Sequence, residues 1–397
     1  MADLTNYYSR SVTDMASSQN NSDNATAIDI QPSKSAYNFK NVYNYGYEIT
    51  LYGYVWPSLG LIVLILNILM IAIFIRTRMR STTHIYLAAI TTMDTLTIIF
   101  PSIIYFHIFV ILDIDDYLPY NLCRVWYYFT DIFPVTFHAA AILLTVCLAG
   151  QRCLCAVYPL SIAQWFTTKV TLVSVTVCIV LAITFEISEF ILYTYESVNI
   201  WTQNNTITGC NIGVGNLNPG ETRKYQISHF IVRVAFFELI PCVILIVLDI
   251  VMLRKVQQAK EWRKDSSRKT RRSSSSTSTS TRLTILTLWI VGIFLVVELP
   301  VVVILSIYAT GMLLSTYAVP LNQLYTASVF ANFLVMLSFP LNFFIYFFCS
   351  KAFRKEAKRL LTCCIPRKET KPKSGFDSIF QRTISSQIDH TNQAFQN

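Results

Sequence analysis

Charge is scarce in this chain of 397 residues: 14% are Asp, Glu, Lys or Arg, while 53% are hydrophobic. A soluble protein carries roughly 25% charged residues, so an ordinary water-facing surface is excluded. Global disorder is excluded too, because it requires low hydrophobicity. Eleven glycines and ten scattered cysteines leave no basis for a collagen repeat or a disulfide-dense scaffold. Five histidines without paired spacing argue against a metal site, so no metal and no cofactor is expected. The sequence has no HExxH, no GxSxG and no glycine-rich phosphate loop, which argues against an enzyme. Inverted repeats with short, broken helices, the mark of a transporter, are missing as well.

What is abundant is apolar sequence in long blocks. Seven stretches, roughly 52–75, 85–110, 124–150, 168–192, 229–253, 283–309 and 322–349, reach the length of about 20 residues that a membrane span needs. Their length favours helices over strands, and the alternation of a membrane barrel is missing. The expected fold is an all-α membrane protein, a seven-transmembrane helix bundle. Basic residues set its orientation: 25 of the 32 Lys and Arg, but only six of the 23 acids, fall on one side, leaving that side near +19. That side is expected to be cytosolic, with the N-terminus extracellular, in the plasma membrane. The sequons at Asn20, Asn24 and Asn204 all fall on the other side. The first 47 residues lack an apolar core, so the first span is expected to act as its own insertion signal. The concentrated positive charge suits anionic lipid, and no nucleic-acid partner is needed to explain it.

Cys123 and Cys210 are the cysteines on the outer side, and in an oxidising compartment they are expected to bridge, holding loop 196–228 over the bundle as a lid. Cys363 and Cys364 follow a basic, amphipathic stretch and read as palmitoylation sites. The low-complexity run Ser273–Thr281 reads as a solvated linker or as a phosphorylation target. Ionisable residues inside spans are costly and mark either function or interhelical contacts. Here they include Asp94, Asp131, Glu186, Glu189, Arg233, Glu238, Asp249 and Glu298, and Asn67, Asp94 and Asn342 are expected to share one polar cluster.

Several motifs in order resemble the rhodopsin-like (class A) G-protein-coupled receptors over about residues 50 to 364. They are Asn67 in the first helix, Asp94 in YLAAITTMDTL, Gln151-Arg152-Cys153 with Pro159, Pro241 in LIPC, Phe294 and Pro300 in FLVVELP, and Asn342 to Tyr346 in NFFIY. The departures are informative. Gln151 stands where an acid normally holds the arginine, Glu298 where a tryptophan is usual, and Phe343 where a proline is usual. Cys123 lies 29 residues before Arg152. The family spacing is about one helical turn shorter, so an extra turn or bulge is expected near Pro134. The third, fifth, sixth and seventh helices are similar to those of invertebrate sex-peptide/myoinhibitory-peptide and myosuppressin (FMRFamide-like) receptors. Leu143 and Cys153 depart from that subgroup, which leaves a divergent member or a neighbour among the nematode serpentine chemoreceptors.

The resemblance implies a small, C-terminally amidated neuropeptide as extracellular ligand and a heterotrimeric G protein, of the inhibitory class, as partner. An environmental chemoreceptor is the alternative, and a non-signalling membrane scaffold a distant one. Retinal is argued against by the missing lysine in 322–349, and an amine ligand by Pro134 at the usual acid position. The expected organisation is a glycosylated disordered arm (1–51), the receptor bundle (52–350), a membrane-surface amphipathic helix (351–364) and a disordered cytosolic tail (365–397). Arg233, Glu298, Asp131, His138 and Glu238 are the candidate ligand contacts. Arg152, Gln151, Asp249, Tyr346, Asn342, Asp94 and Asn67 are the candidates for coupling and activation, with Asp249 expected to supply the counter-charge to Arg152 that Gln151 cannot.

Overall fold

A computed structural model describes residues 36–39, 46–76, 82–114, 116–158, 165–201, 206–214, 219–267, 275–314 and 316–363. Asn20, Asn24, Asn204, Pro159, Cys364 and the segment 365–397 lie outside the described residues, as do parts of the 273–281 run. The chain divides into two compact units, Met1–Glu356 and Ala357–Asn397.

Among the described residues, seven helices are long and apolar enough to cross a membrane: α1 Glu48–Ile75, α2 Thr82–Ile111, α3 Tyr120–Val157, α4 Thr168–Leu192, α5 Glu221–Ala259, α6 Leu283–Leu314 and α7 Leu321–Cys349. A further helix, α8, covers Lys351–Cys363. A span must satisfy its own backbone hydrogen bonds, which is why β-branched and aromatic stretches are helical here. The side chains are distributed inside out relative to a soluble protein. Leu61, Ile65, Ile68, Val173, Leu181 and Val296 are exposed, while Asn67, Asp94, Glu186 and Glu298 are buried. Apolar side chains cost nothing against lipid tails, whereas ionisable ones are confined to the interior. α3 runs through the middle, and its Ala139, Ala140 and Ala141 are buried, small enough for neighbouring helices to approach closely.

Four π-helical segments widen the spans, at Leu51–Val55, His107–Ile111, Tyr128–Ile132 and Val234–Leu239. The third ends just before Pro134 in α3. Proline lacks an N–H and crowds the preceding turn, which a widened turn accommodates. An expanded segment therefore stands where the Cys123–Arg152 spacing called for one. α4 begins at Thr167, whose hydroxyl accepts from the Val170 amide at 3.3 Å.

Two features differ from expectation. The segment after α4 is a β-hairpin, β1 Tyr193–Trp201 against β2 Thr206–Val214, in antiparallel register with Ser197 opposite Cys210. Within the expected disordered arm, the described residues 46–51 are helical, and residues 36–39 are built into the same end of the bundle as the hairpin. Three strands of chain meet there: Tyr37 N–H donates to Cys210 O (2.7 Å), Cys210 N–H to Leu118 O (3.1 Å), and Leu118 N–H to Tyr37 O (3.1 Å). Phe39 N–H donates to Asp116 O at 2.7 Å. The apolar reason is the Phe39 ring, 1% exposed and packed edge-on against Trp126 (5.0 Å) and Phe109 (5.4 Å).

Candidate ligand-binding site

The disulfide Cys123–Cys210 closes this end, with both cysteines fully buried and their Cα atoms 5.9 Å apart. It ties the start of α3 to β2, so the hairpin cannot swing away from the bundle. Burial lifts the Tyr37 phenol, beside the bridge, above its ordinary value, as it does the Tyr195 phenol on β1.

Beneath this cap lies a cleft with about 820 Å³ of empty space, open solvent included, reached by α1, α2, α3, α5, α6 and α7. Its walls are mostly apolar, among them Trp56, Tyr105, Phe237 and Leu305, and its ionisable groups are His138, Arg233 and Glu238. An apolar pocket with a few convergent polar groups is the usual form of a small-ligand site. Three of the five candidate contacts therefore share one cavity. Arg233 is buried and lies 5.3 Å over the Phe230 ring.

The other two candidates face elsewhere. Asp131 is buried beside a separate small space that it shares with Tyr127, Glu186, Glu189 and Arg233. Glu298 opens onto a second, smaller cavity with Asp94, His138, Thr145, Ser338 and Asn342. His138 joins the two larger spaces: it lines both, and its Nε2 stands 3.2 Å from Glu298 Oε1. Glu298, at 0% exposure, lies on the floor of the site and not in its wall.

Folding also brings together a set that spacing along the chain conceals. One ligand atom each from His138 on α3, Glu238 on α5 and Glu298 on α6 lie within 4.8 Å of one another. The expectation against a metal rested on the lack of paired histidines, whereas this set has one histidine and two carboxylates from three helices.

A polar junction missed by the sequence reasoning joins α3, α4 and α5. Glu189 accepts from the hydroxyls of Tyr127 and Tyr225, each at 3.2 Å, and lies 3.2 Å from His229 Nδ1. His229 also stacks on Phe185 at 4.6 Å. The signal available was Glu189 itself, a carboxylate inside a span, which needs buried partners.

At the opposite end, Asn342 donates to Asp94 Oδ2 at 3.3 Å. Asn67 turns instead to α2, donating to Thr95 Oγ1 at 2.8 Å, so it does not join Asp94 and Asn342 directly. Gln151 donates to the Thr82 hydroxyl, tying α3 to α2. Arg152 is buried beside it. The expected Arg152–Asp249 pair does not form: among the described residues no acid pairs with Arg152, and the Asp249 carboxylate faces Gly292 of α6. Their positions on α3 and α5 direct the two charges to different neighbours. Tyr346 is fully buried, its ring edge-on to Phe74 at 5.2 Å and 5.7 Å from Phe353, the residue that anchors the first turn of α8.

Comparisons with known proteins agree with this architecture. A family model described as serpentine type 7TM GPCR chemoreceptor Srw matches residues 54–364. The sex peptide receptor of Drosophila melanogaster is 27% identical over 326 residues, covering 79% of this chain and 73% of the relative. Sex peptide receptor-related protein 2 of Caenorhabditis elegans is 26% identical over 328 residues, covering 80% and 72%. Since the family match runs from α1 to α8, the chain belongs to the serpentine seven-transmembrane G-protein-coupled receptors of the Srw family, signalling receptors and not enzymes.

Proposed function

We propose that this receptor binds a small, C-terminally amidated neuropeptide at the capped end of the bundle and signals through a heterotrimeric G protein of the inhibitory class. The observation that carries the reading is the cleft in which Arg233 and Glu238, of opposite sign, sit in apolar walls beneath the disulfide-held hairpin. The peptide's terminus enters this cleft, and the rest contacts the hairpin above. A desolvated carboxylate suits an arginine or an amide, and a desolvated guanidinium suits a carbonyl or carboxylate. The likeness to a sex peptide receptor and to a sex peptide receptor-related protein supports a peptide as ligand.

In this reading the capped end is extracellular, as the excess of basic residues toward the other end supports. Asn20, Asn24 and Asn204 then carry glycans, α8 lies on the inner leaflet, and Cys363 and Cys364 are acylated. Peptide binding favours an outward movement of α6 that opens a cleft beside Arg152, with Gln151, Asp94, Asn67, Asn342 and Tyr346 setting the balance between closed and open states. Asp131 and Glu298 act on the ligand through Arg233 and His138, since each shares a space with that neighbour.

The test is a cAMP and calcium readout against a library of amidated invertebrate peptides, with the receptor verified at the cell surface. The expected result is a peptide-dependent fall in cAMP whose potency drops at least about tenfold in Arg233→Gln, as loss of a charge-assisted contact requires. Silence across the library would overturn the peptide reading. The chemoreceptor reading has its own support in the description of the matching family. Expression in exposed sensory endings, with no internal neurons, would favour it.

A further inference from the structure

We propose that His138, Glu238 and Glu298 form a binding site for one divalent transition-metal ion of the zinc class, at the junction of the two cavities. The residues come from three different helices, and their ligand atoms lie within 4.8 Å of one another. The His138 Nε2 to Glu298 Oε1 distance of 3.2 Å is close to the separation of two ligands about 2.0–2.1 Å from a tetrahedral zinc ion.

A second observation points to a ligand. Glu298 is 0% exposed and Glu238 9%, and Oε2 of each has no hydrogen-bond partner. Two carboxylates in an apolar bundle each need a partner, because an unsatisfied buried oxygen is expensive and an unpaired charge more so. A proton on His138 balances one of the two charges, whereas a divalent ion neutralises both and takes an oxygen from each. The imidazole nitrogen selects for zinc and its neighbours over calcium or magnesium, which prefer all-oxygen shells. With three protein ligands the fourth position remains open toward the cleft under the hairpin, which His138 and Glu238 line and through which an ion enters. Such an ion clamps α3, α5 and α6 together. On the proposed reading, in which α6 moves outward on activation, bound metal acts as a brake, whatever the agonist.

The experiment uses untagged, full-length receptor in nanodiscs, stripped with EDTA and titrated with Zn²⁺ against a chromogenic chelator, without agonist. The expected result is one Zn²⁺ per chain, with affinity falling about tenfold or more in His138→Gln and in Glu298→Gln, since loss of even an outer-shell partner costs that much. His229→Gln, which alters the other buried His–Glu pair, leaves the affinity unchanged. If a variant fails to fold, Co²⁺ loading of the wild-type receptor decides: a four-coordinate site gives intense visible bands, and the six-coordinate aqueous ion gives weak ones. Absence of saturable Zn²⁺ binding by the wild type, equal affinity in the variants, or a six-coordinate Co²⁺ spectrum would each overturn the proposal.

Discussion

Replacing Phe39 with alanine should release the residue 36–39 segment from the capped end while leaving the bundle intact. Backbone hydrogen bonds through Tyr37 N–H, Tyr37 O and Phe39 N–H tie the segment to its neighbours. At about 1 kcal/mol net each, they fall short of the cost of ordering four residues, about 1–2 kcal/mol apiece. Ring burial supplies a large further share. Phe39, 1% exposed, contacts Trp126 at 5.0 Å, Phe109 at 5.4 Å and Tyr37 at 5.6 Å. Truncating a buried phenylalanine costs about 3–5 kcal/mol, and 3 kcal/mol corresponds to roughly a hundredfold change in an opening equilibrium.

Hydrogen exchange measures this directly, because the amides involved are known. In Phe39→Ala, the amides of Tyr37, Phe39 and Leu118 should exchange roughly a hundredfold faster, since each donates to or from the released segment. The Cys210 amide serves as the internal control. It donates to Leu118 O and is anchored by the disulfide, so it should stay protected. Unchanged protection at Tyr37 and Phe39 would refute the argument that ring burial holds the segment. Equal loosening at Cys210 would refute the claim that it docks separately from the hairpin.

Four further outcomes follow from the same structure. Burial raises the Tyr37 phenol, so the fold favours its neutral form: docking of the segment is intact below about pH 10 and weakens only above it, and a loss of protection already near neutral pH would contradict this. Replacing Cys123 and Cys210 together by serine opens a loop with a sequence separation of 87, which chain entropy values at about 4.6 kcal/mol; a thermal scan should show a clear loss of stability, and an unchanged Tm would count against the bridge as a restraint. Glu189→Ala removes an acceptor shared by Tyr127, Tyr225 and His229 and should cost about 2 kcal/mol or more, measured as a lowered Tm in detergent; a neutral result would mean that the three donors find other acceptors easily. Asp249→Asn should leave ligand-independent signalling unchanged at equal surface expression, because Asp249 faces Gly292 and does not pair with Arg152; a shifted basal level would bring the pairing back.

The parts of the fold that were legible in the sequence are those set by length and periodicity. All seven spans were readable because about 20 apolar residues in a row have few other uses, and α4 runs over Thr168–Leu192 as expected. The hairpin was missed because its strands mix polar and apolar residues in a segment read as a covering loop. Alternating Tyr193, Tyr195 and Ser197, followed by Asn204-Asn205, was a usable strand-and-turn signal. The burial of Phe39 could not be read at all: one aromatic residue in a polar arm carries no period, and its partners Phe109 and Trp126 are distant in sequence.

The candidate site divides along the same line. Which residues would be buried and charged was legible, because an acid inside a span is conspicuous wherever it points. Which cavity each one faces was not. Facing depends on helical phase, and every π-helical turn shifts the residues beyond it by about one position, or roughly 100° of rotation. One such segment precedes His138 in α3, and another contains Glu238 in α5. Glu298 looked from its place before Pro300 like a wall residue, yet it lies against His138 on the floor. Of the five residues proposed as separate ligand contacts, three converge on the central joint where a metal ion would sit, and the peptide's own contacts shift toward Arg233 and the apolar walls above it.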